Sequence, residues 1–298
     1  MLARIYLLIA VVIWGWTFVA TRICLAYLSP ALLLAARYAI ALPVLALILF
    51  ARRTPLDFKR RDIPWILLGS TLFVAHFLIQ KWGLVFTSAT NTAWLVSVSP
   101  LAMALLAFLL LRERIGPRTV GGIAVAAVGV LLLISNGRWT EFGWLSSIGD
   151  WLALASAFTW ALYTIATRNL SRTYAPMFLM VLILVPATLG MTAYTAATAD
   201  LSTLTHLPTR PLWALLFLGI AGMAIANWFW LEGVSRIGAT RAGVYLYLEP
   251  LSTTALAVPY LGEAFGVVAA VGALLVLSGV ALAVRNGNGR EREKNRST

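Results

Sequence analysis

Short charged segments divide this 298-residue chain into ten apolar runs. Each run approaches the ~20 residues that a helix needs to cross the ~30 Å hydrocarbon core of a bilayer. They fall near residues 4–24, 30–51, 62–83, 89–111 and 116–135, and then near 148–167, 175–196, 211–232, 239–260 and 264–285. The runs are apolar all round rather than along one face, which argues for lipid instead of a soluble core. Composition agrees: 61% of residues are hydrophobic, 11% are charged and the mean hydropathy is +0.87, whereas soluble domains carry about 25% charged residues. The predicted class is an all-α integral membrane protein of ten transmembrane helices, with no room left for a soluble catalytic domain. The first apolar run follows Arg4 without a small-residue cleavage site before Arg22, so it reads as a span and not a signal peptide.

The chain also contains itself twice. Trp14 to Arg22 reads W-G-W-T-F-V-A-T-R, and Trp160 to Arg168 reads W-A-L-Y-T-I-A-T-R; Pro30 and Pro176 keep the same offset. Gly69, Gly83, Pro100, Glu113, Gly116 and Gly129 align in turn with Gly219, Gly233, Pro250, Glu263, Gly266 and Gly279. Repeats of this kind fix the architecture before any motif is read. Residues 1–136 form the first five-helix repeat and 148–285 the second, and 286–298 form a basic tail.

Charge sets the orientation. With the N-terminus inside, the inner segments hold Arg52, Arg53, Lys59, Arg60, Arg61, Arg112, Arg114, Arg118, Arg168, Arg172, Arg236 and Arg241 together with the basic tail. The outer segments hold Arg138 and Arg210, with Arg22 and Lys81 at span ends. This bias places both termini in the cytoplasm of a multi-pass inner (plasma) membrane protein. Five spans per copy is odd, so the second copy begins on the opposite side and the repeat is inverted. Inverted halves that exchange conformations give alternating access, which favours a transporter; a passive channel built on inherited symmetry is the alternative. The net charge of +12 belongs to these loop clusters, so nucleic acid is not an expected partner.

Three stretches carry a family resemblance: W-G-W-T-F-V-A-T-R, V-S-V-S-P-L-A-M-A-L-L-A-F-L-L-L-R-E-R-I, and Y-L-Y-L-E-P-L-S-T-T-A-L-A-V-P-Y-L-G-E-A-F. In order and spacing they resemble the drug/metabolite transporter superfamily, specifically the ten-helix EamA-type exporters, over essentially the whole chain. The tryptophan and tyrosine content is most similar to the aromatic amino-acid exporter branch. The resemblance implies export of small metabolites, with aromatic amino acids favoured, and a proton-coupled multidrug exporter is a further alternative.

Polar groups at membrane depth are costly and call for a reason. Glu249 precedes Pro250 in the ninth run and Arg37 lies inside the second. They read either as a coupling carboxylate with its partner or as a buried structural charge. Pro100 and Pro250 match across the repeat and are candidate hinges, because proline removes a helical hydrogen bond. Trp16, His76, Gln80, Trp94, Ser97, Trp160, Tyr163, Asn227, Trp230, Tyr245 and Tyr247 place polar and aromatic side chains at mid-span in equivalent helices. They are the expected lining of a central cavity for a planar, partly apolar solute. Interfacial tryptophans and helix–helix hydrogen bonds are the ordinary alternatives for such residues. The Gly- and Ala-rich fifth and tenth runs suit close helix packing or dimerisation.

No P-loop is present, so ATP hydrolysis by that route is excluded. With no H-E-x-x-H, no G-x-S-x-G and Cys24 as sole cysteine, neither an enzyme, a metal site nor a cofactor is expected. The sequence-level reading is a secondary or facilitative exporter that works on a small molecule within the lipid bilayer. It leaves oligomeric state open, with a monomer sufficient.

Overall fold

The computed structural model describes residues 2–54, 56–111, 116–135, 147–237 and 244–284, and within them every regular element is helical. The first part contains α1 (Leu2–Leu25), α2 (Pro30–Ala51), α3 (Ile63–Phe86), α4 (Ala89–Val96), α5 (Ser99–Leu111) and α6 (Pro117–Ser135). The second contains α7 (Ile148–Ala166), α8 (Arg168–Thr173), α9 (Pro176–Thr198), α10 (Ser202–Thr205) and α11 (Thr209–Leu216). Helix α11 continues through a π-helical stretch, Phe217–Ile225, into α12 (Ala226–Ile237). A 3₁₀ turn at Val244–Tyr247 leads into α13 (Leu248–Leu261), and α14 (Val267–Val284) follows. The basic tail, Glu113, Arg112, Arg114, Arg138 and Arg241 lie outside the described residues.

Local chemistry explains the starts. Ser29 accepts from the Leu32 amide in front of Pro30, and Ser88 accepts from the Asn91 amide at the head of α4. A serine cap satisfies a backbone donor that the helix cannot, and a proline at the first position loses nothing by lacking one.

Among the described residues, six segments are long and apolar enough to cross a membrane: Leu2–Leu25, Pro30–Ala51, Arg60–Phe86, Ala89–Leu110, Pro176–Thr198 and Thr209–Val234. The protein is a multi-pass membrane protein. Ten spans were expected from the apolar runs. Among the remaining four, α6 and α14 carry the apolar stretches Val120–Leu133 and Val267–Gly279. Helix α7 carries Asp150, and α13 carries Glu249 and two prolines.

The helices pack in recurring pairs. Helix α1 lies against the α11–α12 helix and α13, and α7 lies against α3 and the α4–α5 pair. Helix α2 packs on α9 and on the π-helical stretch, α3 packs on α9, and α4 meets α13. Helix α6 runs along α14, so the glycine- and alanine-rich segments pack on each other. The crossing is close: a β-carbon at Gly129 would sit 2.7 Å from Gly272 O and Val276 N, and one at Gly279 would sit 2.5 Å from Gly122 O and Ala126 N. Likewise, a β-carbon at Gly83 would lie 3.0 Å from Gly149 O and 3.1 Å from Ala153 N, and one at Gly233 would lie 2.5 Å from Leu7 and 3.3 Å from Ala3 O. Glycine is what allows backbones to approach so nearly.

Hydrogen bonds also join the two parts at both ends of the helix bundle. Near the α1–α2 turn end, Asp150 of α7 accepts from Thr87 at 2.5 Å, Asn91 at 2.6 Å and its neighbour Ser147 at 2.6 Å. Both oxygens of Glu263 accept from the first amides of α4, Ala89 at 2.7 Å and Thr90 at 2.9 Å. At the opposite end, Arg52 pairs with Glu232 at 2.8 Å. There Tyr174 donates to Asp62 at 2.6 Å and accepts from the Lys59 amide at 3.1 Å.

A basic and aromatic centre as the candidate functional site

Helix α3 supplies the middle of the site because it faces α7 and α9 on one side and approaches α1 and α2 on the other. Its residues Phe73, His76, Phe77, Gln80 and Lys81 recur at intervals of three or four, which stacks them along one side of the helix. Across from them, the His76 ring lies 5.1 Å from Trp160, Trp160 lies 5.2 Å from Tyr163, and Tyr163 lies 5.3 Å from Phe73. Phe77 sits 4.8 Å from Phe73 and 4.7 Å from His76. Offset and edge-to-face geometries of this kind are the favoured ones for aromatic groups. Tyr38 of α2 joins the cluster 5.9 Å from Phe73.

Two cations close it. The guanidinium of Arg37, 3% exposed, stands 5.2 Å from the Phe77 ring centre. The ammonium of Lys81, 2% exposed, stands 5.5 Å from the same ring and 6.0 Å from Phe18. Lys81 donates to Gln80 Oε1 at 2.9 Å, and Glu249 lies within electrostatic reach of it. Arg37 Nε and Nη1 and the Tyr38 hydroxyl are buried without a hydrogen-bond partner. On its other side Arg37 borders the π-helical stretch: its Nη2 would be 3.7 Å from a β-carbon at Gly222. Trp14 donates to Gly222 O at 3.1 Å and lies 5.3 Å from Trp230.

The expected cavity residues therefore divide. His76, Gln80, Trp160, Tyr163 and Arg37 come together, with Glu249 within electrostatic reach of Lys81. Trp230 joins them by way of Trp14. Trp16 is 42% exposed and points away from the cluster that holds Trp14. Trp94 packs on Phe265 at 6.1 Å and donates to Thr254 of α13 at 3.1 Å, in a separate cluster that α4 forms with α5, α6, α7 and α14. Ser97 returns its hydroxyl to Trp94 O at 2.6 Å, and the Asn227 amide binds Met223 O of its own helix at 2.7 Å. His76 also binds a backbone carbonyl, Ser156 O, at 2.8 Å. Tyr245 is half-buried, and the side chain of Tyr247 lies outside the described residues.

Pro100 and Pro250 each fall in the first turn of a helix, α5 and α13. The interruptions lie just before them, at Ser97–Val98 and at the 3₁₀ turn Val244–Tyr247, and not at the prolines. Lys81 is where sequence reasoning went furthest astray. A lysine five residues from a span end is normally a snorkelling interface residue, yet here it is buried. The available signal was its place beside Gln80 and one turn after Phe77 and His76.

Residues 1–135 and 147–285 each match the EamA-like transporter family. A Bacillus subtilis protein described as an uncharacterized transporter, YyaM, is 26% identical over 89% of this chain and 88% of its own length. A Streptantibioticus cattleyicolor protein described as a "probable terminal-alkyne amino-acid exporter" is 29% identical over 96% of this chain and 95% of its own. A "probable amino-acid metabolite efflux pump" of Salmonella typhimurium is 26% identical over 92% and 91%. A crystal structure at 21% identity shares the fold with a TM-score of 0.66 over 94% of this chain and 96% of that one. With the match spread over both parts of the chain, the protein belongs to the EamA-like transporter family.

Proposed function

We propose that this chain exports small metabolites, amino acids foremost and aromatic ones among them, by alternating access of two inverted five-helix halves with both termini in the cytoplasm. The observation that carries the reading is the pattern of close helix approaches. Exchanging the halves turns the contact of Gly83 with Gly149 and Ala153 into that of Gly233 with Ala3 and Leu7, and maps the Gly129–Gly279 crossing onto itself. The packing pairs exchange in the same way, α1 on α11–α12 for α7 on α3, and α2 on the π-helical stretch for α9 on α3. Two halves with matching contacts have matching motions open to them, as alternating access requires.

The aromatic and basic centre lies between these exchanging helices, where rings offer stacking and the buried polar groups offer a few directed hydrogen bonds. Interactions between halves at both ends, Asp150 and Glu263 at one and Arg52–Glu232 and Tyr174–Asp62 at the other, suit two gates. The relatives described as amino-acid exporters favour an amino-acid solute. The test is counterflow in proteoliposomes over a panel of amino acids, with and without a pH gradient. Saturable flux and counterflow support the reading; linear, unsaturable flux would replace the carrier with a channel. A rate indifferent to the gradient makes the carrier facilitative.

A further inference from the structure

Arg37 and Lys81 approach the same Phe77 ring, at 5.2 and 5.5 Å, and among the described residues neither forms an ion pair within 4.0 Å. Glu249 lies within electrostatic reach of Lys81 but forms no ion pair with it. Asp150 and Glu263 are engaged elsewhere: Asp150 takes three side-chain hydrogen bonds, and Glu263 caps α4. Among the described residues no carboxylate stands within ion-pairing distance of either side chain. Burying charge without a partner is strongly unfavourable, and buried donors are almost always satisfied. Here two guanidinium nitrogens of Arg37 lack partners, and Lys81 uses one of its three donors on a neutral amide.

Cation–π contact with Phe77 and Phe18 supports the two cations but accepts no hydrogen bond from their remaining donors in the plane where a carboxylate would. What the centre lacks is a planar anion with two oxygens and a single charge, small enough to lie beside the His76, Trp160 and Tyr163 rings. We infer that Arg37 and Lys81 form a binding centre for the carboxylate of the transported solute, so that this carrier selects small organic carboxylates and excludes their neutral or cationic analogues. The inference rests on the transport reading above. The arginine offers the flat fork and the lysine a point charge. A free amino group on the solute, when present, is left to Glu249, and an aromatic side chain to the rings of α3 and α7.

The experiment uses the full-length protein in proteoliposomes, with labelled phenylalanine as the probe. Competition by 3-phenylpropanoate, which keeps the carboxylate and lacks the amine, should equal or exceed that of phenylalanine. Phenylalaninamide and phenethylamine should compete at least tenfold more weakly. Lys81→Met and Arg37→Gln should raise the half-saturation concentration tenfold or more, while Arg37→Lys, which keeps the charge, should recover part of the loss. Gel filtration confirms that each variant is monodisperse. Equal competition by phenylalaninamide, or a monodisperse Lys81→Met with half-saturation within twofold of wild type, overturns the assignment and leaves transport standing. If the wild type shows no counterflow with any amino acid, the transport reading fails instead. Thermal stability of the solubilised protein then decides on the site alone. A rise in melting temperature with 3-phenylpropanoate that phenylalaninamide does not give, and that Lys81→Met abolishes, supports the carboxylate centre; no such rise overturns it.

Discussion

Replacing Asp150 with alanine tests whether the two parts of the chain are tied at the end that holds the α1–α2 turn. The Asp150 carboxylate, itself 5% exposed, accepts from Thr87, Asn91 and Ser147 at 2.5–2.6 Å. A hydrogen bond to an ionised group contributes about 1.5–3 kcal/mol, so three at face value would give about 4.5–9 kcal/mol. That figure is too large. The Ser147 contact is local, and all three donors are half-buried and free to turn to water once the acceptor is gone. A net loss of about 3 kcal/mol is the expected outcome for Asp150→Ala, and roughly half of that for Asp150→Asn, which retains one acceptor oxygen. Unfolding in mixed micelles by titration with sodium dodecyl sulfate, followed by tryptophan fluorescence, gives the difference. A double-mutant cycle with Asn91→Ala isolates the bond that joins α7 to α4, with an expected coupling of about 1–2 kcal/mol. A loss under about 0.5 kcal/mol, or additive single mutants, would refute the idea that this carboxylate holds the two parts together.

Three further outcomes are expected. Gly279→Val puts a side chain where a β-carbon already lies 2.5 Å from two backbone atoms of α6; it should cost at least the ~1–3 kcal/mol of overpacking and lower the melting temperature, while Gly190→Ala, with open space around it, should be neutral. Tyr174→Phe should lose about 1–2 kcal/mol of stability through the Asp62 bond and the Lys59 amide. Burial and the Asp62 bond hold the Tyr174 hydroxyl above its ordinary range. Its share of the stability is therefore complete below about pH 10 and falls as the pH rises through the higher folded-state value, which alkaline unfolding of wild type against Tyr174→Phe measures. Trp160→Ala should raise the half-saturation concentration for an aromatic solute severalfold in counterflow, whereas Trp94→Phe should cost about 1 kcal/mol of stability through the lost Thr254 bond and leave half-saturation unchanged.

Helical, membrane-spanning architecture was legible because apolar run length reports directly on the bilayer, and of the matching glycines Gly69, Gly83, Gly129, Gly219, Gly233 and Gly279 sit at close helix approaches. The side on which an aromatic residue falls was harder to read. Trp14 and Trp16 are both plausible as cavity residues in a string, but two residues apart on an α-helix they face nearly opposite ways. Only the partner helix selects Trp14, through Gly222 and Trp230. Lys81 was misplaced for a related reason: distance to a span end is visible in the sequence, whereas the rings of Phe18 and Phe77 and the side chain of Gln80 that surround it come together only in the packed bundle. Asn227 had its polarity absorbed by its own backbone, an outcome that sequence spacing does not distinguish from a ligand contact. The π-helical stretch left no signal beyond Gly219 and Gly222, where α2 and α1 press closest.

The crossing of α6 and α14 has a consequence for how such a chain can be divided. Gly129 rests on the turn of Gly272 and Val276, and Gly279 rests on the turn of Gly122 and Ala126. Each helix thus presents both the glycine and the step that receives one, which is the geometry of an isologous dimer interface drawn within one polypeptide. A surface of this kind is self-complementary. Either half alone carries all that this contact requires, so cutting the chain between residues 136 and 147 leaves two fragments whose mutual recognition at this crossing needs no covalent link.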